Sequence, residues 1–152
     1  MSARMFQNVR EKKGLCYSIR TQVDEFTDTG LLTTRAGVKL DDVLKATQAI
    51  CDEYDDIRMN GVTDEELKKA KNFLCGKIDL STEDTEEVAH HFGKDTLLYG
   101  IREDFDVQKE KIRGVTKAEV DTLAKELFRH ENLRFAGIGP QIDEKKLLEI
   151  IS

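Results

Sequence analysis

The sequence has few residues of the types that mark secreted, membrane or disulfide-stabilised proteins. Its 152 residues include no tryptophan, one proline and three cysteines. No apolar run approaches the roughly 20 residues that a membrane-spanning helix needs, and no signal peptide opens the chain. The cysteines, Cys16, Cys51 and Cys75, are far apart and odd in number, which favours reduced thiols in a cytosol-like compartment. We therefore expect a cytoplasmic protein that does not bind membranes.

The charge distribution argues against nucleic-acid binding. Charged residues make up 36% of the chain and the net charge is -6. Acidic and basic residues are interleaved, so the sequence has no basic stripe of the kind that phosphate backbones attract. The length is sufficient for one domain with its own core, and we predict a single domain over residues 1–152.

Histidines are too few and badly spaced for a metal site. The chain has only His90, His91 and His130. Adjacent residues on a helix point about 100 degrees apart, so His90 and His91 cannot hold one ion together. Glu86 and Glu87, four residues earlier, add only Glu-His pairs, and two ligands do not make a specific site. We predict no metal and no cofactor in this chain.

Hydrophobic periodicity predicts an α+β domain with an antiparallel sheet covered by helices. Helical spacing and turn residues predict helices over 2–12, 41–60, 63–80, 84–98, 104–113, 116–128 and 144–151, and strands over 15–25, 31–38 and 132–138. Thr63 with Glu66, and Thr116 with Glu119, have the spacing of capping boxes. Ser81 or Thr82 is the expected cap of the following helix. Three strands are few for such a sheet, which predicts an exposed edge.

The corner between the first helix and the first strand contains the two most informative residues. The helix carries Arg10, Gly14 breaks it, and the alternating strand begins near Tyr17. A long cation and a phenol seven positions apart can face one bound chain. The alternative interpretation is a surface arginine and a half-buried strand tyrosine. Arg4 is expected to face solvent or another lobe.

The amino-acid sequence of this segment resembles that of a known protein family. The resemblance is carried by Met1-Ser2-Ala3-Arg4-Met5-Phe6-Gln7-Asn8-Val9-Arg10-Glu11-Lys12-Lys13-Gly14-Leu15-Cys16-Tyr17-Ser18-Ile19. It continues through Asp28-Thr29-Gly30, Gly61-Val62-Thr63-Asp64-Glu65-Glu66-Leu67, Ala70-Lys71-Asn72, Glu131-Asn132-Leu133 and Gly139-Pro140. These segments are similar to the pitrilysin-type zinc peptidases, which include mitochondrial processing peptidase and insulin-degrading enzyme.

The resemblance is to the second, non-zinc lobe of these inverzincins. The other lobe holds the His-x-x-Glu-His motif, which this chain lacks. The resemblance implies a partial split αβ roll of the processing-peptidase-like fold, with the upstream strands and the zinc-bearing lobe outside this chain, so that it is truncated at its N-terminal side. Zinc would belong to the other lobe of the parent enzyme.

The resemblance also implies a function for the corner. Arg10 and Tyr17 match the arginine and tyrosine that the family projects toward the active site, so Tyr17 would support the oxyanion or carbonyl and Arg10 would position the substrate backbone. The chain would be the C-terminal substrate-enclosing portion of a zinc metalloendopeptidase that acts on peptides or unfolded segments, and would be inactive alone.

Two alternatives to this interpretation remain. The chain would otherwise be a non-catalytic peptidase-like subunit that captures substrate or assembles a complex, or an unrelated ligand-binding α+β domain. The expected partners are a zinc-bearing lobe or subunit, a peptide substrate, and a second copy of the chain paired as a homodimer through the exposed sheet edge. A peptide would add a strand to a sheet edge.

Overall fold

The computed structural model describes residues 3–140 and 142–151. A π-helical segment, Met5–Lys12, precedes two strands, β1 (Ser18–Glu25) and β2 (Gly30–Gly37), and a 3₁₀ turn, Leu40–Asp42. Helices α1 to α6 follow, with a second 3₁₀ turn, His130–Asn132, before the last helix. Their bounds are Val43–Asn60, Asp64–Ser81, Thr85–Tyr99, Phe105–Gly114, Lys117–Leu127 and Glu144–Ile151. The mixed α+β class predicted from the sequence is confirmed.

The described residues fall into two compact units. The first comprises residues 1–61 and 123–152, and the second comprises residues 62–122. The first unit contains the π-helical segment, the two strands and α1, and it therefore contains the corner singled out by the sequence.

The two strands form an antiparallel hairpin, as their alternation predicts. Ser18 lies opposite Gly37, and the pairing continues to Glu25 opposite Gly30. The Phe26 amide donates to the Thr29 carbonyl at 3.0 Å, which closes the loop between them. Among the described residues these are the only two strands of the sheet, so neither β1 nor β2 has a neighbour on its outer edge.

One face of the hairpin packs on the core of the first unit. This core contains Met5, Val9, Cys16 and Ala49, with partly buried apolar residues such as Ile19 packed around them. Val9 is completely buried. The Tyr54 hydroxyl of α1 is hydrogen-bonded to the Thr34 hydroxyl of β2, and its ring stacks on Phe128 at 4.7 Å. Helix α1 is thereby fixed against the sheet.

The second unit is held by caps and side-chain contacts between its helices. Both capping boxes are confirmed: the Glu66 amide donates to Thr63 Oγ1 at 3.2 Å, and the Glu119 amide donates to Thr116 Oγ1 at 3.3 Å. Lys109 of α4 donates to Asp79 of α2 at 2.8 Å. This ion pair is one of the contacts between α2 and α4.

Two local predictions are wrong. The third strand, predicted over 132–138, is absent: residues 133–138 have no regular structure, and Ile138 is fully exposed. Alternating apolar residues do not form a strand unless a neighbouring strand accepts and donates their backbone hydrogen bonds, and none of the described residues does so. The cap of α3 is Asp84, not Ser81 or Thr82, because Asp84 Oδ1 accepts from the Glu86 amide at 2.8 Å.

Candidate functional site

The candidate site is the turn that joins the π-helical segment to β1. The wider π-helical turn is visible in the Lys13 amide, which donates five residues back to the Asn8 carbonyl at 3.2 Å. Gly14 ends the segment in the left-handed conformation, with φ of 64°. Residues without a Cβ reach this conformation at little cost, so Gly14 allows the chain to turn directly into the strand.

The structure brings Arg10 and Tyr17 together at this turn. Arg10 Nε donates to the Tyr17 carbonyl oxygen at 2.8 Å, and Nη1 donates to Glu11 at 3.2 Å. The guanidinium also lies 4.6 Å from the centre of the Phe6 ring. Phe6 and Arg10 are four residues apart, a spacing that places two side chains on one side of a helical turn. The arginine thus joins the end of the helix to the start of the strand.

The phenol of Tyr17 is open to solvent. The Tyr17 side chain is 61% exposed, and its amide donates to the Gly37 carbonyl at 2.9 Å. A Cβ at Gly37 would lie 3.5 Å from Tyr17 Cδ2 and 3.0 Å from Ser18 Oγ. The tight approach at Gly37 is therefore to the Ser18 hydroxyl, whereas the Tyr17 ring lies at an ordinary contact distance.

Arg10 keeps donors available beyond the contact with Tyr17. Within the described ranges, Nη2 has no hydrogen-bond acceptor, and the side chain is 36% exposed. The site therefore presents a guanidinium edge and a phenol at one corner of a hairpin. Both groups can donate hydrogen bonds to carbonyl oxygens of an extended chain.

Cys16 lies between these residues and has different surroundings. It is buried in the core, and burial raises the pKa of its thiol, although the positive charge of Arg10 partly offsets this effect. A thiol with a raised pKa is a poor nucleophile at neutral pH. Cys16 is therefore poorly suited to act as a nucleophile at this corner.

Arg4 was expected to face solvent or another lobe, but its side chain is only 20% exposed and contacts residues of the first unit. Arg4 Nη1 pairs with Asp56 at 2.5 Å, and Nη2 donates to the Gly61 carbonyl at 3.1 Å. The same side of α1 receives Asn8, which donates to Glu53 at 2.8 Å. Arg4 and Asn8 therefore anchor the π-helical segment on α1.

The histidines occupy separate environments. His91 stacks on Phe105 at 4.5 Å and lies 3.5 Å from Asp95, whereas His130 lies 3.4 Å from Asp55. In residues 3–140 and 142–151, no three His, Cys, Asp or Glu side chains converge to form a metal site. The residues described here do not fit a catalytic zinc ion. Over the same ranges, no helix combines the length and apolar character that crossing a membrane requires.

Proteins of similar sequence identify the class to which this hairpin-and-helix domain belongs. Residues 1–74 match the model of the peptidase M16 inactive domain. An uncharacterized zinc protease of Streptomyces coelicolor is 34% identical over 146 residues, which are 95% of this chain and 31% of that protein. The chain belongs to the M16, or pitrilysin-type, peptidase family and contains part of its inactive, non-zinc domain.

Solved structures share the fold. A predicted insulinase family protease from Yersinia pestis aligns with a TM-score of 0.65 and 14% identity, over 97% of this chain and 36% of its own. A chain of Complex III2 from Candida albicans aligns with a TM-score of 0.74 and 17% identity, over 83% of this chain and 30% of its own. The chain spans about a third of the length of the curated relatives it matches.

Proposed function

We propose that this chain forms the substrate-enclosing part of a zinc metalloendopeptidase that cleaves peptides or unfolded segments. The zinc ion would be held by a separate zinc-bearing lobe or subunit, because the side chains described here do not form a metal site. The observation that supports the proposal is the corner itself: Arg10 holds the Tyr17 carbonyl at 2.8 Å while the Tyr17 side chain stays 61% exposed.

In this proposal the two residues have different roles. The Tyr17 hydroxyl donates a hydrogen bond to the carbonyl oxygen of the scissile peptide as negative charge develops there. Arg10 uses its remaining Nη2 hydrogens to position a substrate carbonyl. The substrate adds a strand at the open edge of the hairpin, where unpaired backbone groups are available.

The cellular setting is part of the same proposal. Cys16, Cys51 and Cys75 are all free thiols and all buried. Three reduced cysteines fit a reducing, cytoplasm-like compartment.

The decisive experiment compares Tyr17→Phe with the parent protein in hydrolysis of a quenched fluorescent peptide, with the zinc-bearing region and zinc present. We expect kcat to fall about 10²-fold, the usual effect of losing one oxyanion donor. Tyr99→Phe is the matched control, because Tyr99 is also exposed but lies at the end of α3. This chain alone should be inactive with zinc.

Two results would contradict the proposal. Full activity of Tyr17→Phe would remove Tyr17 from the mechanism. Absence of hydrolysis with every zinc-bearing region, together with retained peptide binding, would instead favour a non-catalytic subunit for substrate capture or complex assembly.

A further inference from the structure

Two arginines lie directly opposite each other in the hairpin. The strand register pairs Arg20 of β1 with Arg35 of β2. Side chains alternate between the faces of a sheet, so both arginines lie on the face opposite to core residues Ile19 and Ala36. Like charges at directly opposed positions destabilise a sheet. The two opposed arginines therefore destabilise the hairpin unless an anionic group offsets their repulsion.

Neither arginine has a partner of its own. Among the residues that the structure describes, every other arginine contacts a carboxylate, a backbone carbonyl or an aromatic ring, whereas Arg20 and Arg35 contact none. The chain has an excess of acidic residues, with a net charge of -6. The lack of a partner is therefore not due to a shortage of carboxylates.

The acidic residue on the same face is already engaged. Asp24 accepts two hydrogen bonds from Gln22 Nε2, at 3.1 and 3.2 Å. Gln22 thus separates Asp24 from Arg20 along the strand. Arg20 and Arg35 are both exposed and occupy directly opposed positions on the two strands.

We infer that Arg20 and Arg35 form a carboxylate-binding pair that takes an acidic group of an extended peptide. Opposed residues in an antiparallel pair have Cβ atoms about 5 Å apart, so two guanidinium groups can donate to one carboxylate. Two cations beside the carboxylate of Asp24 are too few for a nucleic-acid surface. The pair suits a single carboxylate, either an acidic side chain or a chain terminus.

The position of the pair matches the proposed peptide path, and the inference rests on the proposed function for the peptide nature of its ligand. Arg20 follows Tyr17 by three residues, or about 10 Å along a strand. A peptide on the open edge of β1 would direct alternate side chains to the two faces. One acidic side chain would then reach Arg20 and Arg35 while its backbone runs toward the corner.

The test is binding of labelled ten-residue peptides to the full 152-residue chain, measured by fluorescence anisotropy at low salt. One peptide has a single internal Glu and an amidated end, and its match has Gln instead. We expect the Glu peptide to bind about fivefold more tightly, and this preference to weaken with added salt. A Gln peptide with a free C-terminal carboxylate shows whether a chain terminus can replace the side chain.

Variants connect the preference to the pair. The double variant Arg20→Gln/Arg35→Gln should bind all peptides equally. Lys94→Gln/Lys125→Gln removes the same charge from exposed positions outside the hairpin and should keep the preference. Arg35→Glu should lose the preference and raise the melting temperature, because it replaces a repulsive cross-strand pair with an attractive one.

Several results would overturn the inference. The first is that no peptide binds, or that every carboxylate-bearing peptide binds with the same affinity as its neutral match. The second is that the double arginine variant keeps the preference for carboxylates. The third is that the lysine control loses this preference as fully as the arginine variant. When the hydrolysis test with Tyr17→Phe is run on a peptide without acidic groups, it reports on the proposed catalytic role separately. A charge preference without any Tyr17 effect would leave the carboxylate site in place and reject the catalytic role.

Discussion

At the scale of single residues, Arg10 has a structural contact in addition to its proposed role. The spacing of Arg10 and Tyr17 predicted that both would lie at one corner, and the structure places them there. The sequence did not show that Nε would bond the Tyr17 backbone, because that bond depends on the π-helical turn and on Gly14. Arg10 therefore makes a structural hydrogen bond through Nε, while the role that we propose for it uses Nη2.

The buried Cys51 and the partly buried Tyr54 of α1 predict how stability depends on pH. Burial, with the nearby carboxylates Asp55 and Asp52, raises the pKa of the Cys51 thiol above its ordinary 9.0. Burial also raises the pKa of Tyr54 above 10.0, and its hydrogen bond with Thr34 offsets part of this effect. Both groups lose protons more readily in the unfolded chain, so unfolding becomes easier as the pH rises past their ordinary values.

We therefore expect the urea midpoint of unfolding to be constant near neutral pH and to fall from about pH 9 upward. Cys51→Ala should flatten the first part of the fall, and Tyr54→Phe the part above about pH 10. The midpoints are measured by circular dichroism from pH 7 to 10.5. A midpoint that rises over this range, or a Cys51→Ala curve as steep as the parent, would contradict the assignment.

At the scale of secondary-structure elements, the sequence predicted local features better than long-range pairing. Both capping boxes and the antiparallel hairpin depend on residues near one another in the chain, and both are present. The strand predicted over 132–138 depends on a neighbouring strand, which a local pattern cannot supply. The alternative cap at Asp84 also has a simple cause, since Asp accepts amide hydrogen bonds at a helix start at least as well as Ser or Thr.

The conformation of Gly14 predicts a backbone effect on stability. A Cβ at Gly14 would meet no atom within 4 Å, so the only penalty in Gly14→Ala is the left-handed φ of 64°. We expect a loss of about 1–2 kcal/mol in the free energy of unfolding, measured by urea titration. Gly76→Ala is the matched control: it lies inside α2, also with open space, and should gain about 0.5–1 kcal/mol. Equal effects of the two changes would contradict this explanation.

The cap of α3 predicts that Asp84→Ala destabilises the protein more than Thr82→Ala does. Asp84→Ala removes the acceptor of the Glu86 amide and should cost about 1 kcal/mol. Thr82→Ala, two residues earlier, removes only a surface hydroxyl that bonds the Asp79 carbonyl, and should cost less than half as much. Urea unfolding midpoints of the two variants distinguish the two caps. A larger loss of unfolding free energy in Thr82→Ala than in Asp84→Ala would support the cap predicted from the sequence.

At the scale of the whole molecule, the chain belongs to the M16 peptidase family and matches part of its inactive domain. Residues 1–74 match the family's inactive domain, and the chain spans about a third of each curated relative. Within the first unit, the segment from Arg10 to Tyr17 places a guanidinium and an exposed phenol at one corner of the hairpin.

The two compact units raise the question of whether the chain unfolds in one step. The chain passes between the units twice, after residue 61 and after residue 122. The second boundary lies inside α5, which runs without a break from Lys117 to Leu127. A helix forms cooperatively, so unfolding of one unit should disturb the other through it. We therefore predict that residues 1–152 behave as a single domain.

Two buried thiols provide a direct test of this prediction. Cys51 lies in the first unit and Cys75 in the second, and both are free. Pulsed alkylation of the unmodified sequence across a urea series, with mass-spectrometric mapping of each cysteine, should give one shared midpoint. Because both thiols are read in the same molecules, no mutation alters the comparison. Exposure of Cys75 at clearly lower urea than Cys51, or the reverse, would show that the two units unfold independently and that α5 does not couple them.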